Sequence, residues 1–504
     1  MPGLSYSPEF IFKVVRMIPF QKLLAIDKDA SVPLYLQISK GFIRLIKEGS
    51  LKRNSKIPGS RLLSVTLDVH RKTVVAAYEE LQLQGWIYTE ASKGSYVSET
   101  IPEITPKAYH PLQSVKKKKA GFEFKQSEVL HSNVYKASTL LEINDGMPDI
   151  RLAPMDSLAR AIRSVLKGER GKQSLSYNDI EGSIHLRTEL CSYLNESRSF
   201  DFTSDNIFIT RGTIMGLYLS LSVLLKKGDH VIVAETGYRS VNLTIQHLGG
   251  NLIKVPVDEN GLNVEAIEKI CKKKKIRAIY VTPHHHYPTT VTMSPDRRMG
   301  LLAVAEKYNI VILEDDYDYD YHFSHSPYLP LATYDPAGLV IYIGSFSKTF
   351  SPAFRVGYIT APENFIQEIA KLRRIIDRQG DSILEHAMAE LFKGGEIKSH
   401  LKKSHSAYKE RRNVFCEQLQ HIAKDRMEFI IPEGGMAVWT AFDKKIPLPS
   451  LAKEAASKGL FISDGSSFGN NCTRLGYTSL SVEEIDIALT ILSKSMDTVG
   501  RRKI

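Results

Sequence analysis

One amine stands out in "IGSFSKTFSPAFRVGY", residues 343–358: Lys348, set among small and hydroxyl-bearing residues, with Arg355 seven positions on. The stretch follows the apolar run "LVIY", so the amine sits just past the end of a buried strand. A lysine there is ordinarily a solvated surface residue; partly desolvated, it becomes a nucleophile toward carbonyl carbon. Three other stretches carry groups that could work with it: "YVTPHHHYPTTVTM" (280–293), "VILEDDYDYDY" (311–321) and "CTRLGYTSLS" (472–481). Read alone, the acidic stretch also fits a magnesium site. The histidine run fits a metal poorly. Strand neighbours face opposite ways, which leaves His284 and His286 together with no third ligand at metal spacing. No metal is expected.

The elements that must position these groups are short apolar runs alternating with longer helical stretches: "NIFIT", "HVIVAE", "NLIKVPV", "IRAIYVTP", "IVILEDD" and "LVIYIGS". Buried strands separated by helices predict an α/β domain with a largely parallel sheet. A chain of 504 residues has room for two or three domains, and 43% hydrophobic with 24% charged residues is a globular composition. No apolar run approaches the roughly 18 residues that span a bilayer. The N-terminus has no small-residue cleavage pattern, and four scattered cysteines without a CxxC pair argue against a zinc site or a disulfide framework. A cytoplasmic protein is expected.

Charge is uneven. Residues 1–125 hold 20 Lys+Arg against 11 Asp+Glu, leaving only +2 of the net +11 for the rest. That asymmetry suggests a polyanion partner for the first quarter. There, "PLYLQISKGFIRLIKE" (33–48) puts Leu34, Ile38, Phe42, Leu45 and Ile46 on one helical face, with Pro33 as first helical residue. Ser60 is expected to cap a short helix bearing Leu62, Leu63 and Val65. After the break "DVH", "RKTVVAAYEELQLQG" reads as a second helix, with Val74, Tyr78 and Leu81 inward and Gly85 as its stop. "WIYTE" and "SYVSE" form a strand pair around "ASKG". This is the order of a winged helix-turn-helix, whose second helix enters the major groove by its first turn. Those residues are Arg71, Lys72 and Thr73, with Lys93 at the wing tip.

The order "PLYxQI…SR…L…RKTV…AYEEL…G" resembles the GntR-family DNA-binding domain over roughly residues 30–98, with Arg61 on the family's arginine at the start of the second helix. The later stretches together resemble the fold-type I aminotransferases that use pyridoxal 5′-phosphate. The combination resembles the MocR subfamily of bacterial regulators, implying an extension at 1–29, a winged helix-turn-helix at 30–98, a Lys-rich linker at 99–140 and an aminotransferase-like domain at 141–500. The resemblance implies that Lys348 forms the Schiff base, that Asp315 holds the pyridine nitrogen protonated, and that Tyr317 meets the 3′-oxygen while Tyr238 stacks on the ring. It implies a phosphate site of Gly212, Thr213, Ser345, Ser347 and Arg355, reached in a homodimer by Tyr177 of the other subunit. Arg474 matches the arginine that forks onto a substrate carboxylate.

Departures accompany the match. The loop after the first strand reads "RGTIM", and "PHHHYPTT" puts His286, Tyr287 and Thr290 where the family has Gln, Asn and Gly. These changes leave a cofactor seat and weigh against rapid transamination. The preferred expectation is a regulator that binds double-stranded promoter DNA and senses an amine, an amino acid or the cofactor itself. A working aminotransferase with a DNA-binding appendage, and a decayed site serving only dimerisation, are the alternatives.

Overall fold

The computed structural model describes residues 19–101, 120–124, 126–127, 130, 141–168, 175–324 and 326–501. Most of the expected linker, including the lysine run 116–119, and nearly all of "FIFKVVRMIPF" lie outside the described residues. The chain divides into two compact units, Met1–Phe124 and Lys125–Ile504.

In the first unit α1 (Leu34–Lys47), α2 (Ser60–Leu67) and α3 (Arg71–Leu83) precede a hairpin of β1 (Ile87–Glu90) and β2 (Gly94–Val97). Ile38, Phe42, Leu45, Leu63, Val74, Ala77, Tyr78, Leu81 and Trp86 form its core. Three local expectations change. Pro33 precedes α1 instead of opening it, and Gly59 rather than Ser60 occupies the cap of α2, so Ser60 is that helix's first residue. Leu62 and Val65 are exposed, 54% and 80%, because only the face bearing Leu63 and Leu67 meets the core. Asp68, in the left-handed region at φ 51°, turns the chain between α2 and α3. His70 then accepts the Lys72 N–H and starts α3.

The second unit is built on seven strands: β3 (Ile207–Thr210), β4 (His230–Ala234), β5 (Asn251–Val255), β6 (Ile276–Val281), β7 (Val311–Asp316), β8 (Val340–Ser345) and β9 (Gly357–Thr360). Their order is β3-β9-β8-β7-β6-β4-β5, with β9 antiparallel to both neighbours and the other pairings parallel. Only β9 lay outside the runs legible in the sequence; "GYIT" is short and follows the loop of Lys348. Strand alternation divides the core into two layers. Val231, Val233, Leu313 and Ile343 meet one set of helices, Ile232, Ile279 and Ile312 the other. The first layer includes α4 (Thr213–Leu224), which crosses the sheet at Gly216; a Cβ there would come within 3.2 Å of the Ile343 side chain.

A smaller antiparallel sheet of β10 (Met427–Phe429), β11 (Ala437–Phe442) and β12 (Cys472–Gly476) packs with α5 (Glu396–Ala423) and α6 (Val482–Arg501) around Tyr408, Phe415, Val438, Leu475 and Leu489.

Candidate functional site

The parallel strands all end on one edge of the large sheet, where ligands of open α/β folds bind. A cavity of about 240 Å³ opens there, lined by Thr213, Tyr238, Asp315, Tyr317, Ser345, Ser347, Lys348, Arg355 and Arg474 among others. Segments far apart in the chain meet because β3, β7 and β8 run the same way and release their next residues into one crevice.

Lys348 lies in the turn after β8, half-buried, and its Nζ donates to Gly146 O at 2.6 Å. Burial pushes its ammonium below the ordinary lysine range, partly opposed by the charge of Asp145. Asp315, near the end of β7, shares the sheet face of Leu313 with Tyr280 of β6, whose hydroxyl donates to Asp315 Oδ2 at 2.7 Å. Oδ1 is buried with no hydrogen-bond partner. Burial lifts this carboxyl to about 7, against the Tyr280 hydrogen bond, which favours the ionised form. Strand alternation sends the other acids of "EDD" to the opposite face. Glu314 accepts the Leu331 and Ala332 N–H groups, and Asp316 accepts the Tyr342 hydroxyl.

At the other end of the cavity Gly212, at φ 82°, caps α4 and brings Thr213 to its first turn. A Cβ on Gly212 would lie 2.7 Å from Arg355 Nη2, so the glycine leaves room for the guanidinium, which donates to Arg211 O at 2.8 Å. Ser345 and Ser347 line the same region, the Ser347 N–H donating to Ser345 Oγ at 3.3 Å. A helix N-terminus, two hydroxyls and an arginine form an anion seat. An unpartnered carboxylate oxygen, a desolvated lysine and that seat together fit pyridoxal phosphate.

Other expected residues behave differently. The Tyr317 hydroxyl donates to His285 O at 2.8 Å, leaving only its oxygen lone pairs to accept a further bond. Tyr238 stands edge-to-face with Tyr287, ring centroids 5.4 Å apart. Tyr177 lies outside the cavity, 75% exposed, with the Arg378 guanidinium 4.2 Å from its ring centroid. The histidine run forms a bend beyond β6, not a strand, so the alternation argument does not apply to it. His285 Nδ1 pairs with Asp318 at 2.8 Å, and His286 Nδ1 meets Thr289 Oγ1 at 2.8 Å. No cluster able to hold a metal occurs among the described residues.

Arg474, buried in β12, was expected to wait for a ligand carboxylate. A carboxylate of its own chain stands beside it: Asp145 Oδ1 lies 2.6 Å from Arg474 Nε as an ion pair without a hydrogen bond, and Asp145 Oδ2 accepts the Tyr287 hydroxyl at 2.8 Å. Asp145 and Tyr280 were both missed from sequence. Tyr280 closes the run "IRAIY", but its place beside Asp315 follows from the sheet register, in which it pairs with Leu313, two residues before Asp315. Asp145, in the turn "NDG", carried no signal.

On the first unit, Arg61, Arg71 and Lys72 are exposed and Thr73 half-buried. Arg71 Nε reaches Ser60 Oγ at 3.4 Å. Lys93 is exposed but paired with Glu90 at 3.0 Å, which tempers the expected cationic wing tip.

The profile of the family described as aminotransferase class I and II matches residues 140–492. The chain belongs to the aminotransferase class I and II family. Among solved aminotransferases it is similar to LysN, an α-aminoadipate aminotransferase of Thermus thermophilus complexed with N-(5′-phosphopyridoxyl)-L-leucine. The TM-score is 0.67 at 25% identity, covering 72% of this chain and 93% of that one. Two relatives of this aminotransferase-family chain extend further along it. The HTH-type transcriptional regulator NorG of Staphylococcus aureus N315 is 30% identical over 442 residues, covering 86% of this chain and 98% of NorG. The regulatory protein MocR of Rhizobium meliloti is 26% identical over 445 residues, covering 87% of each. The resemblance to MocR-type regulators is thereby borne out. No helix among the described residues is long and apolar enough to cross a membrane.

Proposed function

We propose that this chain is a DNA-binding transcriptional regulator whose aminotransferase-family unit holds pyridoxal 5′-phosphate at Lys348 and reads an amino compound there. The observation that carries the reading is one cavity joining a desolvated lysine, a half-satisfied aspartate and an anion seat, in a chain whose relatives are named as transcriptional regulators. When bound, the cofactor supplies an aldehyde to a primary amine and a protonated ring that withdraws electrons.

Each residue then has a task. Lys348 supplies the amine, and burial lowers the cost of its losing a proton. Asp315 Oδ1 accepts the ring N–H while Tyr280 holds Oδ2. Thr213, Ser345, Ser347 and Arg355 bind the phosphate, and Tyr238 covers one ring face. Tyr177, exposed on its own subunit, reaches the phosphate of a second copy. In the first unit, residues 30–98 act as a winged helix-turn-helix, and the first turn of α3 presents Arg71, Lys72 and Thr73 to the major groove of double-stranded DNA, with Arg61 and Lys93 on the backbone. An amine bound in this cavity would change promoter affinity only through unequal affinity for two arrangements of the protein.

The test is a screen of amines against the cofactor-loaded protein, scored by absorbance and promoter binding together. An amine that alters both supports the regulator. Sustained turnover of an amino acid with a 2-oxo acid, without change in promoter affinity, would favour a working aminotransferase. Protein that takes up no cofactor would leave the large unit a dimerisation module.

A further inference from the structure

Asp145 stands where a carboxylate of the ligand was expected. The pairing is built into the fold. Arg474 is 2% exposed, its Nη1 donates to Pro288 O at 3.2 Å, and its guanidinium lies 4.9 Å from the Tyr287 ring centroid. The turn carrying Asp145 is anchored to the strand carrying Arg474, since the Gly476 N–H donates to Asn144 O at 2.8 Å. A side chain at Gly476 would meet Gly146 N at 2.5 Å, so only a glycine lets the turn sit this close. On its other flank, Gly146 O accepts the Lys348 ammonium. The reactive amine and the Asp145 carboxylate therefore share one end of the cavity, and Asp145, with its side chain 46% exposed, lines that cavity.

Two consequences follow from charge and geometry. Asp145 Oδ1 lies 2.6 Å from Arg474 Nε as an ion pair without a hydrogen bond, so the guanidinium's charge is already compensated from within the chain before a ligand carboxylate could do so. A second carboxylate entering the cavity would also lie beside Asp145, a like charge in a partly desolvated space, where repulsion is stronger than in water. An ammonium or hydroxyl group in the same place meets an acceptor instead.

We propose that Asp145 is an internal counter-ion that makes this site select primary amines without a carboxylate on the amino-bearing carbon — alkylamines, diamines and amino alcohols — over α-amino acids. The proposal rests on the cofactor reading above and names the ligand class of that site. Asp145 acts through Arg474 and through its own charge and is a specificity-determining residue.

The experiment compares matched pairs that differ only in that carboxylate: ethylamine with alanine, and 1,5-diaminopentane with lysine. Dissociation constants are read by calorimetry and by cofactor absorbance on the full-length, cofactor-loaded protein. The parent is expected to bind each amine about tenfold or more tighter than its amino acid. Asp145→Ala, which frees Arg474, should reverse or erase that preference mainly by tightening the amino acids. Asp145→Asn keeps a side chain able to accept the Tyr287 hydroxyl and should shift the preference the same way, which separates lost charge from lost packing. Parent protein that binds the amino acids as tightly as the amines, or variants that leave both ratios unchanged, would overturn the proposal while leaving the cofactor reading standing. Parent protein that takes up no cofactor would overturn that reading, and the proposal with it.

Discussion

The Tyr280 hydroxyl donates to Asp315 Oδ2 at 2.7 Å while Oδ1 of the same carboxylate is buried without a partner. The carboxyl has a folded-state value of about 7 against 3.8 ordinarily, burial being the main cause. Between those values the folded cofactor-free chain keeps a proton that the unfolded chain has released, so this group's contribution to stability falls as pH rises. Asp315→Asn should abolish that fall. In urea titrations the variant should gain on its parent between about pH 4 and pH 7, by at most about 1.4 kcal/mol per pH unit, and the gap should then level off. A gap independent of pH would mean the carboxyl is ionised throughout.

Lys348 is desolvated against Gly146 O. Borohydride treatment of cofactor-loaded protein should leave a pyridoxyl tag on Lys348 in peptide maps. Lys348→Ala should lose the tag and the bound cofactor's absorbance while keeping parental circular dichroism and measurable promoter binding. A tag on a different lysine would remove Lys348 from its role.

The α3 first turn makes a separate prediction. Arg71 and Lys72 are exposed together beyond the His70 cap. Arg71→Ala with Lys72→Ala should weaken binding to promoter DNA and flatten its dependence on salt, because two cationic side chains leave the DNA interface. Fluorescence anisotropy at several salt concentrations measures both quantities. Unchanged affinity and slope would take the DNA contact away from this turn.

Gly357 tests how tightly the strand ends are held. A Cβ there would lie 2.8 Å from Gly212 Cα and 3.0 Å from Gly344 O, both backbone atoms with little freedom to retreat. Gly357→Ala should destabilise the fold by about 1–3 kcal/mol in denaturant titrations and weaken cofactor uptake, because Gly212 must move. Gly300→Ala is the control: its nearest neighbour is Val264 Cγ1 at 3.5 Å, inside helix Pro295–Tyr308. It should be neutral or gain up to about 1 kcal/mol from helix propensity.

Much of this was legible from sequence, and for local reasons. Runs such as "HVIVAE" and "IVILEDD" are buried strands because β-branched and aliphatic residues cover both sheet faces, and six of the seven strands of the large sheet were read that way. Lys348 could be singled out because it follows such a run, whereas Asp315, Arg355 and Thr213 were named from the resemblance to the aminotransferases; in the fold all four line one cavity. Periodicity encodes the strands within about ten residues. What the periodicity could not encode was which helical face would find a partner. Leu62 and Val65 look like core and stand in solvent, since α2 buries only its Leu63 side. Nor could it encode the meeting of Asp145 with Arg474. That contact needs a turn near the start of the large unit to dock on a strand near its end, and only long-range packing brings the two together. The chemistry available to the site was written in the sequence; the charge that chooses its ligand was decided by the tertiary fold.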